Sequence, residues 1–292
     1  MAGLVFACVV PHGFPIIPDI SEDAEGALAT RAAMEEAGRR CAAAEPDVLV
    51  VATPHGVRVD GTIALASVGR GAGTLRYGGR TVEMNVPVDG PMTDLIAERA
   101  REHGVPIGLT GFAGSRRDQS VIPLDWGVIT PLWFLGHGRN MVGHGDALAP
   151  APEDLGPPVV IATPSHQLPR TAMVEFGMAV AEAAAHSGRR VAFVASADWG
   201  HRHRESGPYG YSPASAAVDA TVVAALREGE PGRLITLSDD EVREAAIDGL
   251  WQTLMLAGAL DHTPLRGEVL SYEVCNYYGM IVAVYSPVDA ER

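Results

Sequence analysis

Five apolar runs of strand length, "LVFACVV", "DVLVVATP", "PVVIATP", "RVAFVASAD" and "MIVAVYSP", punctuate the chain. Alanine-rich stretches of helical length, such as Asp23 to Ala44 and Met173 to His186, lie between several of them. Strands this apolar are buried on both faces, and helices alternating with strands are the usual way a chain covers both faces of a sheet. The pattern predicts an α/β fold, a central mixed sheet flanked by helices on both faces. With 292 residues, 47% of them hydrophobic, the chain can bury a large core. No internal period or low-complexity segment divides it, so one domain over residues 1–292 is expected. The Gly/Pro-rich stretch from Gly136 to Pro158 reads as a surface loop or the seam between two halves.

Charge narrows the partners. The 22 Lys+Arg against 36 Asp+Glu give a net charge of -14, which repels phosphate backbones and anionic lipid. The basic runs Arg39-Arg40, Arg116-Arg117 and Arg202 with Arg204 are too short for a nucleic-acid footprint. Neither nucleic acid nor a membrane is an expected partner. The apolar start "MAGLVFACVVPHG" lacks a positive leader and a small-residue cleavage site, and Pro11 stops it short of a membrane span. It reads as the first strand of a cytoplasmic protein. Cys8, Cys41 and Cys275 are odd in number and widely spaced, as reduced thiols rather than a disulfide framework or a zinc ribbon.

Ligands of open α/β sheets sit beyond the carboxyl ends of the strands, so the residues just past each run are the candidates for function. "LVFACVV" leads to His12, "DVLVVATP" to His55, "VVIATPS" to His166 and "VAFVASADWG" to His201. A lone histidine in such a place is ordinarily a loop or capping residue; four of the ten weaken that reading. His12 and His55 share a Pro-His-Gly context, which restricts the chain before the ring and frees it after, and they form a candidate ligand pair. A third ligand in a chain without a cysteine cluster should be a carboxylate. The acidic segment "SDDEVREAAIDGLW" offers Glu244 and Asp248, four apart and expected on one helix face. Two histidines and a carboxylate suit non-haem Fe(II) and dioxygen chemistry, and the same donors would hold zinc for hydrolysis. His201 is the best-placed proton-transfer group. His166 reads as pocket lining or as a cap on the helix near Arg170, and His203 as lying behind the site or on the surface. His103, His137, His144, His186 and His262 are expected in solvent. Trp126 and Trp199 each precede a glycine in a motif loop, which suggests a pocket walled by flat rings. Ser196 and Asp198 are placed to orient the loop backbone or the imidazole.

In order and spacing these motifs, with "PLDWGVITPLWFL", "RRVAFVASADWGHRH", "AAIDGLWQTLMLAGAL" and "LSYEVCNYYGMIVAVY", resemble the class III (LigB-type) extradiol ring-cleavage dioxygenases and their Memo-like relatives over nearly the whole chain. The resemblance implies Fe(II) held by His12, His55 and a carboxylate, with Asp248 in place of the usual glutamate and Glu244 as the alternative. It implies His201 as the acid/base that helps deprotonate the substrate. The substrates implied are catechol-like or aminophenol-like aromatics and O2. Many members carry "LDHG" where this chain has Asp125-Trp126-Gly127, and Trp126 cannot transfer protons. The relatives also imply a homo-oligomer or a catalytic half that works with a small second subunit. Two rival readings share these residues: a Memo-like metal-binding or redox-signalling protein, favoured by the two departures, and a zinc hydrolase. No helical zinc motif or nucleophile elbow supports the latter, and "GRGAGTL" from Gly69 follows no strand-to-helix signal for a phosphate loop.

Overall fold

The computed structural model describes residues 2–21, 26–138 and 156–287, so most of the Gly136–Pro158 stretch lies outside the described residues. Eleven strands are described: β1 (Gly3–Val10), β2 (Val48–Ala52), β3 (Ile63–Ala66), β4 (Arg70–Tyr77), β5 (Arg80–Pro87), β6 (Ile107–Thr110), β7 (Val121–Pro123), β8 (Val159–Pro164), β9 (Arg190–Ser196), β10 (Arg266–Glu273) and β11 (Met280–Ser286). The helices are α1 (Leu28–Ala43), α2 (Gly90–Glu102), α3 (Trp126–Leu132), α4 (Arg170–Ser187), α5 (Pro213–Arg227), α6 (Asp239–Ala245) and α7 (Leu250–His262).

Eight strands form one sheet in the order β10-β11-β1-β9-β2-β8-β3-β6. The five apolar runs are its five contiguous strands β11 to β8. β1, β9, β2 and β8 run parallel, while β11 and β3 pair antiparallel with β1 and β8, so the sheet is mixed. Alternate residues of each strand feed opposite layers. Ala7, Val9, Phe193 and Ala195 pack with α2, α4, α5 and α7, whereas Cys8, Val10, Ala192 and Val194 pack with α1, α3 and a small second sheet. That sheet, β5-β4-β7, includes "GAGTL"; its β4–β5 hairpin turns on Gly78-Gly79, both at positive φ, as a two-residue hairpin turn requires.

Register sets the position of the site. Val10 lies beside Ser196 and Ala52 beside Ala195, so β1, β9 and β2 end level at one sheet edge. The residues just beyond them open onto a shared space.

On the opposite layer α4 and α7 cross at glycines. A Cβ on Gly177 would overlap the Met255 carbonyl oxygen, and one on Gly258 the Val174 carbonyl oxygen. Gly177→Ala must therefore push two helix backbones apart. It is expected to cost about 2–3 kcal/mol despite alanine's better helix propensity. Chemical denaturation that found the variant as stable as the parent would contradict this close crossing.

Of the five histidines expected in solvent, His186 and His262 are exposed, and His144 lies outside the described residues. His103 is half-buried between Glu175 and Glu182, at 2.9 and 3.0 Å. His137 corrects the expectation: it is buried, with Nε2 3.1 Å from the Pro157 carbonyl. Gly136 and Gly138 beside it suggested an open loop, but the turn folds inward. Burial pushes its pKa down to about 4, with the carbonyl only partly opposing. A histidine whose folded value lies below its unfolded one contributes full stability above about pH 6.5 and loses it as pH falls towards 4. The loss is on the order of 3 kcal/mol at most. Denaturant midpoints measured across that window should fall more steeply for the parent chain than for His137→Gln; parallel curves would contradict the assignment.

Candidate metal centre

β1 delivers His12 two residues past its end, where the ring is 1% exposed. Its tautomer is set by its neighbours. The Ser196 hydroxyl, at the end of β9, donates to the Gly127 carbonyl at 2.6 Å. A lone pair of that oxygen is left for His12 Nδ1 at 3.0 Å. Nδ1 therefore carries the proton and Nε2 presents its lone pair outwards. Asp198 Oδ1 accepts the His12 backbone N–H at 3.1 Å, and its Oδ2 lies 3.3 Å from Nε2.

His55, three residues past β2, is held by its backbone. Its N–H donates to Thr53 Oγ1 at 3.2 Å and its carbonyl accepts from Thr163 Oγ1 at 3.0 Å. Gly127 presses on its ring: a Cβ there would lie 3.1 Å from His55 Cδ2 and overlap Thr53 Oγ1. Asp248 arrives from the far end of the chain, in the break between α6 and α7. Its Oδ1 accepts the Asp198 N–H at 3.1 Å, and Gly249 has no room for a side chain against Ala197.

Three donor atoms converge. His12 Nε2 is 3.3 Å from His55 Nε2 and 3.5 Å from Asp248 Oδ2, and the last two are 3.9 Å apart. A circle through points so spaced has a radius of about 2.1 Å, the distance at which nitrogen and oxygen ligands hold a divalent ion such as zinc. These three form the one His/Cys/Asp/Glu group with metal-ligand spacing among the described residues.

The electrostatics fit a cation. Burial lowers the pKa of His12, His55 and His201, leaving neutral imidazoles, the ligating form. Burial also pushes Asp198 and Asp248 up, against the pull of the neighbouring histidines. Carboxylates that burial disfavours as anions gain most from a divalent ion among them.

His201 Nε2 stands 3.8 Å from Asp248 Oδ2, beside the three donors. Its ring faces Tyr278, Tyr209 and Tyr277, at 5.6, 5.8 and 6.0 Å between centroids. Trp126, 41% exposed, packs its ring 4.7 Å from that of His55, and Asp125 caps α3 beneath it by accepting the Gly127 N–H at 3.0 Å.

Other expected residues lie elsewhere. Glu244 and Asp248 do not share a helix face, because Ala246 adopts a left-handed conformation (φ 51°) that ends α6. Glu244 points to solvent and pairs with Arg202 at 3.5 Å. Trp199 is fully buried in the core, with no ring face open to solvent. His166 lies exposed, stacked on Trp251 at 3.5 Å between centroids, and α4 takes no side-chain cap from it. His203 pairs with buried Asp219 at 2.9 Å. The tyrosines at 209, 277 and 278 escape a reading of the sequence, although "NYYG" places a compact aromatic pair beside the site.

The family model for the catalytic LigB subunit of aromatic ring-opening dioxygenase matches residues 6–284. The chain belongs to the LigB family. A curated relative, Protein CA_C1420 of Clostridium acetobutylicum, is 26% identical to this LigB chain over 269 residues. The match covers 91% of the chain and 54% of the relative, so the chain spans about half that protein's length. Among solved structures, the crystal structure of the uncharacterized protein JW3007 from Escherichia coli K12 superposes with a TM-score of 0.58 at 17% identity. That match covers 96% of this chain and 99% of the other, and it shows a common fold. LigB membership supports a dioxygenase-type role, and the His/His/Asp group suits the metal dependence typical of the family. Among the described residues no helix is long and apolar enough to cross a membrane.

Proposed function

We propose that this LigB-family chain is an Fe(II)-dependent extradiol dioxygenase that opens the ring of a catechol-like or aminophenol-like aromatic with O2. The observation that carries the reading is the convergence of His12 Nε2, His55 Nε2 and Asp248 Oδ2 at 3.3 to 3.9 Å, with a neutral His201 beside them. Two nitrogens and one carboxylate oxygen leave positions open, the donor set of non-haem iron oxygenases. Bound Fe(II) would supply the one-electron chemistry that couples an aromatic diol to dioxygen.

The chain's own residues then have distinct tasks. Half-buried and neutral, His201 is ready to take a proton from a substrate hydroxyl and to return one later in the cycle. With tryptophan at position 126, proton transfer falls to His201. Trp126 on the His55 side and Tyr209, 55% exposed, on the His201 side offer flat faces to an aromatic ring.

The test is anaerobic reconstitution with Fe(II), then oxygen uptake against a panel of catechols and aminophenols, with ring-opened product monitored by its absorbance. Stoichiometric iron with oxygen consumption and a yellow product supports the proposal. Bound metal with no oxygen uptake across the panel favours the Memo-like role instead.

A further inference from the structure

Four consecutive backbone amides around His201 are taken by separate parts of the chain. The Gly200 N–H donates to Asp219 Oδ1 at 2.8 Å, and the His201 N–H to the Ala245 carbonyl at 2.8 Å. The Arg202 N–H donates to Ser215 Oγ at 3.0 Å, and the His203 N–H to the Tyr277 carbonyl at 3.1 Å. The segment is neither helix nor continuous strand, so regular structure satisfies none of these groups. Two of the four acceptors, Ser215 and Asp219, come from one face of α5, four residues apart.

Asp219 is fully buried, and its Oδ2 also accepts from His203 Nε2 and the Tyr272 hydroxyl, each at 2.9 Å. Its neighbours along α5, Val218 and Val222, are buried and apolar. A helix that only needed packing here would carry another such residue, because a buried carboxylate costs stability even when its acceptor sites are filled. The chain accommodates it at close quarters. A Cβ on Gly200 would lie 2.6 Å from Ser215 Cβ, and one on Gly279 would overlap the Asp219 carboxylate. The carboxylate thus grips both flanks of the segment that bears His201 and ties it to β10.

We propose that Asp219 is a positioning residue for His201, holding Gly200–His203 so that the imidazole faces Asp248, with Ser215 in a supporting part. This rests on the reading of His201 as the proton-transfer group. Two measurements on the full chain separate the two ideas. In Asp219→Asn, which keeps the size but sets an amide against the His203 and Tyr272 donors, hydrogen exchange of amides 200–203 should accelerate at least about 10-fold. Exchange in the His12 and His55 loops and bound iron should stay at parental levels. With a substrate the parent turns over, kcat should fall about 10- to 100-fold while KM changes less than about twofold, as when a group that orients a functional histidine is lost. Ser215→Ala, the milder variant, should move both quantities the same way by less. Unchanged exchange at 200–203 overturns the proposal, as does accelerated exchange with parental kcat. A parent that turns over no aromatic removes the dioxygenase reading, and the exchange result alone then decides whether Asp219 positions the segment.

Discussion

Asp248→Ala is expected to leave the chain unable to hold stoichiometric metal, while Glu244→Ala keeps it. Asp248 Oδ2 completes the triangle with His12 and His55, and its removal leaves that triangle two neutral imidazoles, with Asp198, whose Oδ1 is held by the His12 N–H, near His12 alone. Two neutral nitrogens do not supply the three protein ligands of an open metal site. Altering groups that merely orient a ligand costs about 10- to 100-fold in affinity, so losing the ligand itself should cost more than about 100-fold. Asp248→Asn separates the two duties of the residue. It can still accept the Asp198 N–H but brings no charge, and it should fall between parent and alanine variant. Glu244, 53% exposed and paired with Arg202, is the internal control. Metal analysis after anaerobic reconstitution reads all three variants. Retention of full metal by Asp248→Ala with its loss from Glu244→Ala would reverse the assignment.

His201→Ala should behave in the opposite way, keeping the metal and losing turnover. His201 lies outside the donor triangle but close enough, at 3.8 Å from Asp248 Oδ2, to reach a hydroxyl bound beside it. General acid–base groups contribute about 10²–10⁴ in rate, and with Trp126 in place of a second histidine the loss should sit in the upper half of that range. His12→Ala, by contrast, should lose metal and turnover together. Steady-state oxygen uptake on iron-loaded protein separates the two. Parental turnover in His201→Ala would remove its acid/base role, and unchanged metal in His12→Ala would remove the donor triangle.

How far the sequence foretells this site depends on distance along the chain. The five apolar strands are legible because burial on both faces leaves an unbroken apolar run, and they are the contiguous strands β11 to β8. β4, β6 and β10 are not, since their burial is partial and their residues mixed. His12, His55 and His201 can be read as a group because each comes just after such a strand, and level strand ends bring them to one edge. His166 comes just as soon after its strand, but the flat face of Trp251 claims its ring, and no local pattern foretells that. The helix expected to carry Glu244 and Asp248 breaks at Ala246, where "EAAI" has no glycine or proline to mark the left-handed turn. A signal for Asp248 lies in the glycine after it, which lets the start of α7 approach Ala197 at the end of β9. Asp219 and the tyrosine pair reach the site only through tertiary packing, from α5 and from the turn before β11.

The central claim is that these residues insert dioxygen into an aromatic ring, and isotope incorporation tests it most directly. Iron-loaded protein would be given its best catechol or aminophenol under 18O2 in ordinary water, and the ring-opened product analysed by mass spectrometry before exchange. Ring cleavage at this site predicts that both oxygen atoms of one O2 molecule enter the product. A product carrying only solvent oxygen would mean hydrolysis at the same donors, and would contradict it.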